Sequence, residues 1–352
     1  MSFEWLNKSA QAIDPVVLEA AKARQMHLTK PPGSLGYLED AAIRLAAMQS
    51  TQQPDLSRAR IVVFAADHGI AEEGVSAFPQ AVTGHMIHNF VTGGAAISVL
   101  ARNLGATLEV VDVGSVADTG AMSGVIVQKA GTGTANFRRG PAMTEPQLAA
   151  ALQAGRDAVD RALKDKVQIF IGGEMGIANT SAATAMACAL LGKAPQEIAG
   201  PGTGLAPEGV AHKARVIGES LELHHAAMTS PLEVLRHVGG FEIAALAGAY
   251  IACAQAGLPV LVDGFIASTA ALVAMKIRPD AAAWWFYGHA SAEPGYVRLM
   301  EALQARPLVD LGLRLGEGSG AAVALPILRL AAALHGQMAT FAEAGVAEKS
   351  HG

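Results

Sequence analysis

Short, unbroken apolar runs alternate along the chain with longer segments rich in alanine and leucine. A strand covered on both faces meets no water on either side, so its sequence is continuously apolar rather than alternating. On that basis strands are predicted at residues 60–66, 108–113, 167–171, 259–262, 282–287 and 308–315. Helical spacing predicts helices over 15–26, 38–48, 81–104, 145–163, 181–191, 208–228, 241–256 and 321–336. Strands that alternate with helices in this way are the mark of βαβ units. The expected fold is therefore α/β, a doubly wound, mostly parallel sheet. No fixed-period repeat, low-complexity tract or long linker breaks the pattern, and the polar closing segment, 343–352, is expected to fray.

Composition sharpens this picture. The 352 residues are 51% hydrophobic and 16% charged, enough apolar mass to bury a large core. Aromatic residues make up only 5% while glycine reaches 38, which suits close-packed helices against a sheet better than a sandwich. A net charge of -5 argues against a general nucleic-acid binder and leaves room for a local basic pocket. Cys188 and Cys253 form no disulfide framework and have no metal-ligand spacing, so they read as small core residues. The first residues lack a basic segment followed by an apolar one, so no signal peptide is read. The apolar stretches 243–262 and 321–334 are interrupted by Gln255 with Pro259 and by Pro326 with Arg329. Neither reads as a membrane span, and a cytoplasmic protein is expected.

In doubly wound sheets ligands sit outside the carboxyl ends of the strands. Five unusual clusters fall there: Asp67-His68-Gly69, Gly172-Gly173-Glu174-Met175-Gly176, Asp263-Gly264, Gly288-His289-Ala290-Ser291 and Gly316-Glu317-Gly318-Ser319-Gly320. In 172–181 the glycines allow a close backbone approach, and Asn179, Thr180 and Ser181 stand where a helix begins. Free N–H groups at a helix start hold a phosphate; plain N-capping explains the same residues. A second glycine turn, Gly200-Pro201-Gly202-Thr203-Gly204, precedes a helix carrying Lys213. Lys213 is either a point charge for that phosphate or a solvated lysine on a helix face.

Several familiar chemistries are missing. The only Gly-Lys pair, Gly192-Lys193, is followed by alanine, so there is no Walker A loop. No G-x-G-x-x-G follows the first strand, and no G-x-S-x-G elbow occurs. His85 and His88 share a helix face without a third ligand, so no metal is read there. What remains is a pair of carboxylates. Glu317 lies among glycines at a strand end with Arg314 as its nearest cation, a setting that raises a carboxyl pKa and suits a general base. An exposed loop glutamate is the alternative reading. Glu174 shares the setting on another strand, and two such acids on one rim can activate a nucleophile and steady a developing positive charge.

These runs resemble the nicotinate-nucleotide–dimethylbenzimidazole phosphoribosyltransferase family. The matching segments are 28–39 (LTKPPGSLGYLE), 66–69 (ADHG), 73–79 (EGVSAFP), 171–181, 200–205, 238–242 (VGGFE) and 311–320, in order across nearly the whole chain. The resemblance implies that nicotinate mononucleotide gives its 5-phosphoribosyl group to 5,6-dimethylbenzimidazole, yielding α-ribazole 5′-phosphate and nicotinate, with no cofactor. It implies that Glu317 is the general base and Glu174 a carboxylate near the ribose. It implies a phosphate cradle of Gly176, Thr180, Ser181, Gly202, Gly204 and Lys213, with Ser291 a candidate contact for the donor's pyridine or ribose. Ser76, Phe78, His85 and Leu315 are implied walls of the acceptor pocket, although His85 and His88 stand where residues such as glutamine are common in the family. A homodimer is implied, with a Rossmann-like catalytic part at 55–320 and a smaller helical part from 1–54 with 321–352. Lys30 to Gly36 matches the family without an assigned role. Two rivals stay open: an NAD(P)-dependent oxidoreductase, opposed by the missing dinucleotide fingerprint, and a non-catalytic protein that binds a base or its nucleotide.

Overall fold

The computed structural model describes residues 3–346. Seven parallel strands form one sheet: β1 (Ala59–Ala66), β2 (Thr107–Gly114), β3 (Val125–Val127), β4 (Ile169–Met175), β5 (Val260–Val262), β6 (Trp285–His289) and β7 (Pro307–Val309). Their spatial order is β3-β2-β1-β4-β5-β6-β7. The chain builds outward from β1 to β3, returns to the other flank of β1 and builds outward again. The point of reversal lies between β1 and β4, where Ala59 pairs with Ile169 and Val63 with Gly173.

Helices cover both faces: α1 (Pro15–His27), α2 (Tyr37–Met48), α3 (Val82–Thr92), α4 (Ala96–Leu104), α5 (Glu145–Lys164), α6 (Asn179–Leu191) and α7 (Pro195–Ile198) in the first half. The second half adds α8 (Pro207–His224), α9 (Pro231–Val238), α10 (Phe241–Ala256), α11 (Phe265–Ile277), α12 (Tyr296–Leu303), α13 (Ser319–Gln337) and α14 (Phe341–Ala344). The wealth of alanine and glycine is explained by α10, which is buried along almost its whole length and packs on α5. There a Cβ on Gly155 would collide with the Ala245 carbonyl, so the two backbones nearly touch. Cys188 and Cys253 are buried free thiols in this core. α1 packs on α2, α2 on α13, and α13 on the sheet and α4, so the last long helix ties the first two to the strands. α13 is the one described helix long and apolar enough to cross a membrane, and more than half of it is buried within the protein. Its Arg329 donates to the carbonyls of Leu56, Leu104 and Ser57.

Several elements differ from the sequence expectation. The single helix expected at 81–104 is two helices, because Gly93 takes a left-handed φ of 89° and caps α3. The third expected strand lies later, running to Met175, so Gly172 and Gly173 are strand residues rather than a loop. The strand expected at 282–287 starts only at Trp285, after a 3-10 turn over Pro279–Trp284. The strand expected at 308–315 is three residues long, and the rest leaves the sheet as a loop. The helix expected to reach Met228 ends at His224. β3, α7, α9, α11, α12 and α14 were not anticipated. Residues 347–352 of the expected frayed end lie outside the described residues.

The loop of unassigned role has a structural explanation. Buried Lys30 pairs with Glu39 at 2.8 Å, and the same carboxylate accepts from the Gly33 and Leu35 amides, at 3.2 and 2.9 Å. One acid thus closes the turn that leads into α2.

Candidate functional site

A cavity of about 450 Å³ opens beyond the carboxyl ends of β4, β5 and β6, a size ordinary for a small-ligand site. Its lining divides into an acidic end, a glycine-turn end and an apolar wall between them, and Lys213 stands behind the glycine turn, outside the lining.

The acidic end is built on a strained turn. Gly316, Glu317 and Gly318 are consecutive left-handed residues, with φ of 90°, 65° and 84°. A non-glycine residue there carries a backbone cost, so the surroundings must hold it. Three contacts do so. Glu317 N–H donates to the Glu174 carbonyl at 3.3 Å, and both Asp263 oxygens accept from the start of α13, from Gly318 N at 3.2 Å and Ala321 N at 2.8 Å. Gly173 supplies the room, since a Cβ there would overlap the Glu317 carbonyl. Glu317 Oε2 accepts from Ile97 N–H at 3.2 Å, at the first turn of α4. Burial raises its pKa, the Ile97 N–H lowers it and the charge on Asp263 raises it, with a net rise. Glu174 is pushed up to about 8 by burial first, then by Glu242 and Asp263, against a hydrogen bond from Asn179 Nδ2. In the free protein at neutral pH, Glu174 therefore holds its proton. A cation placed beside it would draw that proton off.

The other end surrounds Lys213, which α8 brings fully inside the protein. Its ammonium donates to Thr180 Oγ1 at 2.8 Å and to the Gly200 carbonyl at 3.3 Å. Burial pulls its pKa down to about 8, opposed by the charge of Glu293. Thr180, Gly202 and Gly176 line the cavity, as does Ser291 beyond β6. Arg314 Nη1 donates to Gly202 O at 3.1 Å, tying the loop after β7 to the glycine turn. Gly204 and Ser181 lie outside the lining: Gly204 has a φ of 112°, and Ser181 is buried in α6 with its N–H bonded to Ala178 O.

Between the ends, Phe78 and Leu315 face the cavity while remaining largely exposed, and Val82 and Met86 of α3 complete the wall. His85 points from the exposed side of α3 and is not part of the lining. Ser76 is half-buried and sits at the margin, its hydroxyl 3.5 Å from that of Thr203, which does line the cavity.

Beneath the floor, the turn after β1 is closed by an internal pair. His68 Nε2 lies 2.7 Å from Glu242 Oε1, both residues fully buried. This contact joins the 66–69 and 238–242 segments, which lie far apart in the sequence. It also fills the place where a dinucleotide-binding turn would stand.

The site residues expected from the sequence omit Glu293 and His289, although both line the cavity, as does Asn179 at the start of α6. Glu293 had a signal in its position two residues beyond Ser291. His289, 3.6 Å from Asp263 Oδ1, lay in a noted cluster. Burial against neighbours distant in sequence is what gives these residues their place, and local spacing does not encode it.

Residues 10–346 match the family model described as phosphoribosyltransferase. A relative from Pseudomonas putida KT2440, named nicotinate-nucleotide–dimethylbenzimidazole phosphoribosyltransferase, is 59% identical over 349 residues, covering 99% of each chain. A relative of the same name from Pseudomonas syringae pv. syringae B728a is 58% identical over the same length and share. Among solved structures, the nicotinate-nucleotide–dimethylbenzimidazole phosphoribosyltransferase of Thermus thermophilus is similar to it. That structure aligns with a TM-score of 0.91 at 46% identity, covering 96% of this chain and all of that one.

Proposed function

The chain belongs to the phosphoribosyltransferase family, and from that premise we infer that it transfers the 5-phosphoribosyl group of nicotinate mononucleotide to 5,6-dimethylbenzimidazole. The products are α-ribazole 5′-phosphate and nicotinate. The observation that carries this reading is one cavity with two desolvated carboxylates at one end and, at the other, Thr180 and a glycine turn backed by the buried ammonium of Lys213. The separation of such ends suits a nucleotide whose phosphate and reacting carbon need opposite surroundings.

The chemistry follows from charge. The donor's glycosidic nitrogen is a cationic pyridinium, so its ring leaves neutral and asks for no acid. The acceptor is a neutral benzimidazole, and the proton on one nitrogen must go as the other attacks C1′. Glu317 is the proposed base. The Ile97 N–H fixes its rotamer and favours its charged form, while burial and Asp263 keep it basic enough to take a proton. Glu174, protonated in the free site, loses its proton as the pyridinium arrives and then faces the positive charge of the reacting sugar. Attack opposite the leaving ring inverts a β- to an α-glycoside. Gly176, Thr180, Gly202 and Lys213 are the proposed phosphate contacts, Ser291 a donor contact, and Phe78 and Leu315 acceptor walls. Ser181 and Gly204 support that cradle from outside, and Ser76 stands at the margin of the proposed acceptor wall, its hydroxyl against that of Thr203.

We further infer a cytoplasmic homodimer, whose terminal segments form a smaller helical part anchored by α13. Light scattering on the purified protein tests the dimer. The reaction is tested by chromatography of the protein with nicotinate mononucleotide and 5,6-dimethylbenzimidazole, without added metal. Stoichiometric α-ribazole 5′-phosphate and nicotinate are expected. Binding of both ligands without any product would refute the catalytic reading.

A further inference from the structure

The proposed phosphate cradle already contains an acid. Glu293, on the loop between β6 and α12, lays its carboxylate against the Cα of Gly200, where a Cβ would overlap Oε2. The residue is 6% exposed, and Oε1 has no hydrogen-bond partner. The positive groups facing it are Lys213 of α8 and Arg314 of the loop before α13, together with the Gly202 N–H. The other titratable groups lining the cavity are Glu174, Asp263, His289 and Glu317. Lys213, for its part, donates to neutral acceptors, the Thr180 hydroxyl and the Gly200 carbonyl. A buried cation and a buried carboxylate thus share one glycine turn without closing on each other.

A phosphate monoester brings between one and two negative charges into that turn. Two anions confined in a dry space cannot both keep their full charge cheaply; with Lys213 beside the phosphate to hold its charge, the carboxylate is the group left to take up a proton. We propose that Glu293 is an internal competitor for the substrate's phosphate: charged in the free protein, it takes one proton from solvent when a 5′-phosphate monoester binds beside Lys213. The consequence is a mononucleotide affinity that falls as pH rises, through the window where the free carboxylate is ionised and the liganded one is not. Burial already displaces Glu293 upward from its ordinary pKa, so that window extends toward neutrality. The proposal rests on reading the 200–204 turn and Lys213 as the phosphate cradle.

The test is calorimetry of nicotinate mononucleotide alone, binding at pH 7 in two buffers of different ionisation enthalpy. The phosphate's own ionisation is followed separately through the phosphorus NMR shift of the bound mononucleotide and subtracted. The wild-type protein is expected to take up close to one proton more than Glu293→Gln. Loss of the competing charge is expected to lower KM for the mononucleotide by about tenfold, the effect of one pKa unit. Equal proton uptake in the two proteins overturns the proposal. A raised KM in Glu293→Gln also overturns it, because the carboxylate would then be binding substrate rather than opposing it. If that variant does not fold, Glu293→Met, which keeps the volume without the charge, takes its place in the same comparison, with the same outcomes. Lys213→Ala separates the two readings. Weaker binding in Lys213→Ala with no proton difference at Glu293 sinks only this proposal; unchanged binding in Lys213→Ala sinks the cradle as well.

Discussion

The two ends of the cavity solve the same electrostatic problem in opposite directions. At one end burial drives Glu174 and Glu317 toward their neutral acid forms; at the other it drives Lys213 toward its neutral amine. Each end is poorly solvated, and at the lysine end the carboxylate of Glu293 stands near the ammonium without closing an ion pair on it. In the proposed reaction the donor supplies a counter-charge to each end: a phosphate for the lysine and a pyridinium for the acids. A donor bridging the two ends would relieve both at once. The ends differ in rigidity as well. The acidic end is pinned by backbone hydrogen bonds around a strained turn, whereas the lysine end is a turn held by side-chain contacts from Arg314 and Lys213.

The largest expected effect lies at the acidic end. Glu317→Gln should lower kcat by about 10²–10⁴, the usual worth of a general base. A fall of less than threefold at saturating benzimidazole would remove Glu317 from that role. Next is the opposite end, where Lys213→Ala should raise KM for the mononucleotide by about 10–100-fold, the value of a charge-assisted hydrogen bond. In the wild type the same KM should climb as pH passes about 8, where Lys213 loses its proton. A KM flat from pH 7 to 9.5 would show that the lysine's charge is not used.

Rigidity can be tested separately. Gly173→Ala places a methyl group against the Glu317 carbonyl, and overpacking of this kind costs about 1–3 kcal/mol. Its kcat should fall while KM for the mononucleotide changes little; the reverse pattern would mean that the two ends move as one. The smallest effect is on stability. Glu174 has a folded pKa of about 8 against an ordinary 4.5, so its protonated form supports the fold fully below pH 4.5. That support drains away as pH rises toward 8. Glu174→Gln should therefore raise Tm relative to wild type more at pH 8 than at pH 5. Equal shifts at both pH values would mean that the acid is already ionised in the folded state.

The sheet was legible in the sequence because strands buried on both faces must be continuously apolar, and β1 from Ile61 to Ala66 and the whole of β5 carry no polar residue. β4 was misplaced because its last residues include Gly172, Gly173 and Glu174. Such residues usually signal a turn, and here a tight approach by the Glu317 turn demands the glycine at 173. α11 went unread because it is apolar on nearly every side and so lacks the helical alternation that marks a surface helix. At the site, Glu317 and Glu174 were visible as acids among glycines. Glu293 was not, since its meaning lies in facing Gly200 from a distant loop. His85 shows the converse: sequence position put it beside the acceptor, while the turn of α3 points Val82 and Met86 inward instead.

The strand order also carries a consequence for the ribosome. β1 pairs with β4 across a gap from Ala59 to Ile169, and the Gly316-Glu317-Gly318 turn comes later still. At about 5–20 residues per second, the roughly 140 residues between β4 and that turn take on the order of 7–30 s to synthesise. Throughout that interval the nascent chain lacks Glu317, the proposed base. A chain truncated short of residue 316 also lacks α13, the helix that ties α1 and α2 to the sheet, so it is missing a structural anchor together with the proposed base.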